Sequence, residues 1–273
     1  MKLAFSTLGC PDWSLQQVAE HAGEYGYDGV ELRIKGDRHV DPSLNASERR
    51  HAAESFRSRG VEIRSLSGYT TFTGKTREEV EANVQQLRVN AELAHDLGAP
   101  YVRTFLGKVP EGMTFDFAVA QVAESLARCA ELVRPLGVSI LIETHDDFSA
   151  SAAVERVLRE AGHPDGLALL WDTVHTYHSG ETAQQVVERF GTNILHTHFK
   201  DCVPDAHNPR GHQYRYVLTG EGYIPIRENI AALRSIGYDG YLSFEWEKMW
   251  YPDLPGPEVA LPHYLRYMRE LLG

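Results

Sequence analysis

Short apolar segments and helical patterns alternate along the whole chain, and this regularity limits its fold more than any other feature. The first apolar segment covers residues 2–7, the last covers residues 241–246, and a helical pattern follows each of the eight. Such alternation is typical of parallel strands covered by helices, and eight strands are the number that closes a barrel. An open doubly wound sheet is the alternative, but no Gly-x-Gly-x-x-Gly follows the first segment. We therefore predict an α/β fold, a single (β/α)8 TIM barrel.

The length, composition and charge fit one barrel domain. The chain has 273 residues, against roughly 250 in a typical (β/α)8 barrel, and no change of composition marks a linker, so we expect one domain over residues 1–273. No run approaches the about 20 apolar residues that span a bilayer. The formal net charge of −11 opposes binding to nucleic acid or to anionic lipid. Neither is expected as a partner, and a homodimer or homotetramer remains open.

The cysteines and the N-terminus favour a cytoplasmic protein. The three cysteines are odd in number and widely spaced, with no Cys-x-x-Cys, so neither a disulfide framework nor a structural zinc site is indicated. The first apolar run ends before Pro11, which makes it too short for a signal peptide. We interpret it as the first strand.

One acidic or imidazole side chain stands at the end of each of the last four predicted strands: Glu143, Asp172, His198 and Glu245. Alternation along the strands places all four on the inner face if their larger apolar neighbours pack against the helices. Three carboxylates at one rim repel one another unless a cation lies between them. Oxygen ligands with one imidazole suit Mn²⁺, Mg²⁺ or Co²⁺, and Zn²⁺ stays open. We predict one divalent metal ion; a plug of ion pairs with nearby arginine and lysine side chains is the alternative.

Further side chains near strand ends are candidates for substrate contacts. Each candidate also has a structural alternative. The two histidines could be solvated loop residues, and the lysine could neutralise Glu245 or Asp201. Glu31 and Arg103 could form structural ion pairs, and the tryptophan could simply pack against its neighbours. His196 lies one step deeper than His198 on the same face, which predicts a hydrogen-bonded core histidine. Glu247 is expected on the face opposite Glu245 and is a poor ligand candidate. The substrate-contact candidates are His145, His175, Lys200, Arg103, Glu31 and Trp13.

Seven short segments carry a family resemblance. They are FST (5–7), YDGVEL (27–32), IETH (142–145), DTVH (172–175), HTHFKD (196–201), GEG (220–222) and FE (244–245). Together they resemble the xylose isomerase-like TIM-barrel superfamily, the sugar phosphate isomerase/epimerase family. The resemblance implies that Glu143, Asp172, His198 and Glu245 bind one divalent metal, as the matching residues of ketose 3-epimerases do. It also implies that Glu143 and Glu245 exchange the substrate proton.

The predicted chemistry is proton transfer next to a carbonyl group. A divalent ion chelated by a ketone oxygen and the neighbouring hydroxyl would acidify the α C–H bond and stabilise an enediolate. One glutamate would remove the proton and the opposite one return it. We therefore expect an isomerase or epimerase of a sugar or sugar phosphate. The alternatives are a metal-dependent dehydratase or lyase acting on a keto-sugar or keto-inositol, and a non-catalytic carbohydrate-binding barrel.

The chain departs from the ketose epimerases at two positions. They carry a further glutamate six residues after the first ligand, where this chain has Ser149, and an arginine six residues after the histidine ligand, where it has Pro204. The superfamily also contains AP endonucleases with three zinc ions, and the segment 205–207, Asp-Ala-His, is superficially similar to one of their ligand pairs. The third and fourth predicted strands lack the additional histidines of that trinuclear site, so DNA repair is not expected.

Overall fold

The computed structural model describes residues 1–34 and 39–273, and in it eight parallel strands close into one barrel. The barrel strands are β1 (Lys2–Ser6), β2 (Gly29–Arg33), β3 (Glu62–Ser67), β4 (Tyr101–Thr104), β5 (Ser139–Glu143), β6 (Leu167–Asp172), β7 (Ile194–Phe199) and β10 (Tyr241–Phe244). Between β7 and β10 the chain forms an antiparallel hairpin of β8 (Asp201–Pro204) and β9 (Tyr214–Val217). Each barrel strand pairs with the next barrel strand of the chain, and β10 closes against β1. The predicted TIM barrel is confirmed.

Helices lie in the connections and cover the outside of the barrel. They are α1 (Leu15–Tyr25), α2 (Ala46–Arg57), α3 (Arg77–Leu97), α4 (Phe115–Val133), α5 (Ser151–Glu160), α6 (Thr173–His178), α7 (Ala183–Phe190), α8 (Ile226–Ser235) and α9 (Pro257–Leu272). The local sequence sets their ends. Ser14 caps α1 because its side chain accepts the N–H of Gln17, and Gly26 ends the helix in the left-handed conformation, with φ of 83°. Thr76 and Gly98 begin and end α3 in the same way.

Side-chain alternation gives the barrel an apolar outer face and a layered interior. Ile142, Trp171 and Phe244 pack outward in the main hydrophobic core between strands and helices, as predicted. Inside the barrel, a separate small apolar cluster fills the lower end. It consists of Tyr101, Leu141, Ala168 and Leu170. Above this cluster the interior is polar, so the charged strand-end residues meet at the carboxyl ends of the strands, where barrel enzymes build their sites.

Two segments at that end of the barrel differ from the sequence prediction. Residues 200–225 were predicted as irregular but contain the β8–β9 hairpin. Its base is fixed by Asp201, whose buried carboxylate accepts four backbone N–H groups between residues 202 and 224. The second segment is α6, which begins directly after β6 with Asp172 as its N-cap. Both depend on side-chain-to-backbone bonds that a hydrophobic pattern does not reveal.

The opposite end of the barrel contains a surface groove. Its volume is about 1160 Å³, and it lies between α2 and α3 beside the amino ends of β3 and β4. None of the predicted site residues lines it. Within residues 1–34 and 39–273, no helix combines the length and apolar character needed to cross a bilayer.

Candidate metal centre

The predicted metal ligands come from four adjacent strands of the barrel. Going round the barrel, β5, β6, β7 and β10 are neighbours, and one ligand candidate lies at, or one residue from, the carboxyl end of each. Asp172 pairs in register with His198, and the backbone N–H of Glu245 continues the β7–β10 ladder by donating to Phe199 at 3.1 Å. The parallel register therefore brings Glu143, Asp172, His198 and Glu245 to one level. One potential ligand atom from each lies within 4.8 Å of all the others.

The imidazole of His198 lies at the centre of this group. Its Nδ1 atom is 3.0 Å from Glu143 Oε1, 3.3 Å from Glu245 Oε2 and 3.9 Å from Asp172 Oδ2. Burial alone would lower the pKa of His198, but the surrounding glutamates raise it well above its usual value. Three carboxylates converging on one imidazole nitrogen form a donor set that suits a divalent cation.

Two buried oxygen atoms of this group accept no hydrogen bond from the described residues. Glu143 Oε2 lies 3.3 Å from Arg103 Nε without hydrogen-bond geometry, and Asp172 Oδ2 lies 2.9 Å from Lys200 Nζ and 3.7 Å from His175 Nε2, again without that geometry. The other oxygen of Asp172 accepts the N–H groups of Val174 and His175, each at 2.9 Å, at the start of α6. A buried carboxylate oxygen without a donor is costly. The group therefore fits a divalent metal ion in both chemistry and spacing.

The second ring nitrogen of His198 points to Glu31, deeper in the barrel. His198 Nε2 is 3.1 Å from Glu31 Oε2, and His196 Nε2 is 3.0 Å from Glu31 Oε1. Ser243 also donates a hydrogen bond to Glu31. All four side chains are fully buried. Glu31 was predicted to contact substrate, but the structure places it below His198, where its carboxylate holds the two imidazoles.

The placement of Lys200 also differs from its prediction as a substrate contact. The side chain is 1% exposed, and Nζ lies 2.9 Å from Asp172 Oδ2 and 2.8 Å from Glu247 Oε1, with a further bond to Glu245. Burial would lower the pKa of Lys200, but these three carboxylates raise it well above its usual value. Lys200 is therefore a counter-ion for the acidic cluster, which was the alternative interpretation for Glu245. Asp201, the other alternative partner, bonds to backbone instead.

Glu247 lies in the same cluster, contrary to the sequence prediction. It was expected on the face opposite Glu245, but side chains two residues apart on an extended chain share a face, and the structure brings both glutamates to Lys200. Glu247 is 8% exposed and lines the cavity beside Lys200. Burial raises the pKa of Glu247, against the opposing effect of Lys200.

A cavity of about 720 Å³ opens above the ligand group, within the range of small-molecule sites. Three of the predicted substrate contacts line it: Arg103, His145 and His175. His145 packs on Phe105, with ring centroids 4.2 Å apart, and lies 4.7 Å from the ring of His175. Trp13 does not line the cavity. It packs on His21 of α1, with ring centroids 4.4 Å apart.

Aromatic, basic and acidic residues from the β8–β9 hairpin and from the loop after β10 complete the lining. The hairpin residues were not singled out because residues 200–225 were predicted as irregular. The residues from these two segments are Arg210, His212, Tyr214, Tyr216, Glu247, Trp250 and Tyr251.

The chain is similar over nearly its whole length to several sugar- and inositol-processing proteins, judging by their names. An inosose isomerase from Bacillus velezensis is 22% identical, with 95% of this chain and 93% of the relative covered. An inosose dehydratase from Geobacillus kaustophilus is 24% identical, with 95% of this chain and 87% of the relative covered. A fructoselysine 3-epimerase from Escherichia coli O157:H7 is 21% identical, with 100% and 98% covered.

Solved structures show the same fold at low sequence identity. The IOLI protein, crystallised with a bound zinc atom, has a TM-score of 0.83 at 18% identity, with 100% of this chain and 98% of that chain covered. An L-ribulose 3-epimerase has a TM-score of 0.78 at 19% identity, with 99% and 94% covered. Residues 19–271 match the family described as xylose isomerase-like TIM barrel. Because this match takes in nearly the whole barrel, the chain belongs to the xylose isomerase-like TIM-barrel family.

Proposed function

We propose that this protein is a divalent-metal-dependent isomerase or epimerase that transfers a proton next to the carbonyl group of a sugar or sugar phosphate. The family contains enzymes of this kind, and named relatives include an isomerase and an epimerase. The observation that carries the proposal is the convergence of Glu143 and Glu245, from strands β5 and β10, on one potential metal-ligand group under a cavity.

Glu143, Asp172, His198 and Glu245 would hold the metal ion, since their ligand atoms form one buried group. A divalent cation there would polarise the ketone oxygen and the adjacent hydroxyl of a bound sugar, which acidifies the α C–H bond. The donor set is compatible with Mn²⁺, Mg²⁺, Co²⁺ or Zn²⁺.

Glu143 and Glu245 would move the proton. Burial alone would raise the pKa of Glu245, but His198 and Lys200 lower it well below its usual value, so its carboxylate is ionised and can accept a proton. The two glutamates approach the ligand group from its two ends, because β6 and β7 lie between their strands. Removal of a proton by one and its return by the other inverts a carbinol carbon. Return to the neighbouring carbon interconverts an aldose and a ketose.

Lys200 and Glu31 would support this arrangement without touching substrate. Lys200 balances the charge of Asp172 and Glu245 before a cation binds. Glu31 holds the ring of His198 so that Nδ1 faces the carboxylates. Such outer partners fix the orientation of a ligating imidazole.

Incubation with a panel of ketoses in D2O tests the proposal. After addition of Mn²⁺ to metal-free protein, we expect α-deuterium in the recovered sugar together with an epimer or aldose. Glu143→Gln and Glu245→Gln should each lose at least about 100-fold in rate, the lower end of a general-base contribution. Glu62→Gln, a change at a half-exposed glutamate on β3, is the matched control. No exchange over the whole panel would refute the proposal and favour a non-catalytic carbohydrate-binding barrel.

Dehydration of a keto-sugar or keto-inositol is the second candidate. It is favoured by the inosose dehydratase relative and by Ser149, which lines the cavity where ketose epimerases carry a glutamate. The first step, proton removal by a glutamate, would be the same, and loss of the β-hydroxyl would follow. An unsaturated or deoxy product in the D2O experiment would identify this reaction in place of epimerisation.

A further inference from the structure

The tip of the β8–β9 hairpin holds one arginine in a tight turn beside the cavity. The turn is Asn208-Pro209-Arg210-Gly211, closed by a hydrogen bond from the N–H of Gly211 to the carbonyl of Asn208 at 3.0 Å. Proline at the second position and glycine at the fourth are favoured in such turns. The Asn208 side chain accepts the N–H of Arg210 at 2.9 Å and donates to the carbonyl of Tyr214. The sequence therefore fixes the backbone that presents Arg210.

The guanidinium of Arg210 rests on aromatic rings. It lies 5.3 Å from the ring centroid of Trp250 and 5.5 Å from that of Tyr251, and it donates one hydrogen bond, at 3.3 Å, to the carbonyl of Trp250. Among the described residues no carboxylate lies within ion-pair distance of it. Stacking on the two rings fixes the position of the guanidinium, and most of its N–H donors stay available for an oxyanion.

A second cation, Lys108, lines the same cavity, as do Asp146 and Asp147. Within the described part of the chain its ammonium group makes no ion pair. The two rim aspartates have other partners: Asp146 lies 3.1 Å from His145 Nδ1, and Asp147 accepts the N–H of Val109 at 2.6 Å. Arg210 and Lys108 thus line one cavity without an ion pair among the described residues, in a chain with a net charge of −11.

His212, next to the turn, lies close to these charges. Its ring stacks on Tyr214 at 5.0 Å between centroids, and it lines the cavity. Burial lowers the pKa of His212, and the positive charges of Arg210 and Lys108 lower it further. Both cations therefore lie near the His212 ring at the mouth of the cavity, while its floor holds the acidic ligand group.

We propose that Arg210 and Lys108 form an anion subsite, so that the substrate is a keto-sugar derivative with a phosphate or carboxylate group at the end remote from the metal ligands. This inference rests on the proposed function, which assigns the keto end of the substrate to the floor of the cavity. Arginine recognises both anions through paired N–H donors, and lysine adds a point charge. Pro204 stands where ketose epimerases carry an arginine, and Arg210 supplies a guanidinium from the tip of the hairpin whose first strand ends at Pro204.

Three probes with one carbon skeleton test the subsite: D-fructose, D-fructuronate and D-fructose 6-phosphate. Their affinities for Mn²⁺-loaded protein are measured by calorimetry. We expect at least one anionic probe to bind about tenfold or more tightly than fructose, and the stronger of the two identifies carboxylate or phosphate. Arg210→Gln should reduce that ratio of affinities about tenfold. Arg227→Gln, on the exposed face of α8, is the control and should leave the ratio unchanged.

Equal affinities of wild-type protein for all three probes would overturn the inference. So would an equal loss for neutral and anionic probes in Arg210→Gln, because that result would assign the arginine to sugar hydroxyls. Metal content of each variant is measured alongside, so that a collapsed site is recognised. A preserved charge preference without any deuterium exchange would refute the proposed reaction and leave the subsite standing. Deuterium exchange without a preference for anionic probes would refute the subsite and leave the proposed reaction standing.

Discussion

Replacement of Glu31 by glutamine tests how the barrel interior prepares the metal centre. Both carboxylate oxygens of Glu31 lie within 3.2 Å of His198 Nε2, and one lies 3.0 Å from His196 Nε2. Burial alone would raise the pKa of Glu31, but the two imidazoles lower it well below its usual value. The carboxylate therefore accepts the Nε2–H of His198 and leaves Nδ1 directed at the other ligands. Glutamine keeps the shape and one acceptor but removes the charge.

The expected loss is about 10- to 100-fold in Mn²⁺ affinity, the usual effect of removing an outer partner of a ligating histidine. This corresponds to about 1.4 to 2.7 kcal/mol of binding free energy. The assay is titration of metal-free Glu31→Gln protein with Mn²⁺, monitored by calorimetry. Circular dichroism checks that the variant folds. Glu62→Gln is the matched control, since Glu62 pairs with Lys2 at the exposed start of β3.

Two outcomes would refute this reasoning. A Kd for Mn²⁺ within twofold of the wild-type value would mean that Glu31 does not act through His198. Complete loss of binding would mean that Glu31 is itself a ligand, because Glu31, His196 and His198 form a second buried group whose spacing could hold a cation. The intermediate effect alone supports the proposed role.

Three further predictions concern stability and thiol reactivity. Lys200→Met should lower the free energy of unfolding of metal-free protein by about 3–5 kcal/mol, because it leaves buried carboxylates without a counter-ion. Mn²⁺ should then raise the melting temperature of the variant more than that of the wild-type protein. Native protein should not react with Ellman's reagent at pH 8, since all three thiols are buried and have raised pKa values. Unfolded protein should react at all three thiols. Gly222→Ala should lower the melting temperature because its methyl group would overlap the carboxylate of Asp201, whereas Gly23→Ala, where the methyl meets Arg59 Cβ at 3.2 Å, should lower it much less.

The convergence of the four proposed ligands could be predicted because it depends on two simple regularities. Side chains alternate along a strand, and parallel strands end at the same edge, so position within a strand specifies both face and height. Glu143 and Asp172 end regular strands, and His198 lies one residue before the end of another, so these rules hold for all three. Glu245 lies one residue beyond β10, but its backbone still continues the ladder.

The remaining parts of the site depend on contacts between distant segments. Glu31 and His196 are separated by most of the barrel in sequence, so their pairing follows only from closure of the sheet. Glu247 and Arg210 lie outside the barrel strands, where side-chain direction is set by turns and caps. Lys200 shares the face of His198, but its role as a counter-ion depends on three carboxylates from other strands and loops.

The location of bound Mn²⁺ tests the central claim most directly. Crystals of metal-loaded protein, measured at the manganese absorption edge, give an anomalous difference map that locates the ion without reference to activity. The account predicts one peak, bonded to His198 Nδ1 and to one oxygen from each of the three carboxylates at the ends of β5, β6 and β10. A peak on the Nε2 side of His198, between Glu31 and His196, would contradict it, and so would a map with no peak at the carboxyl end of the barrel.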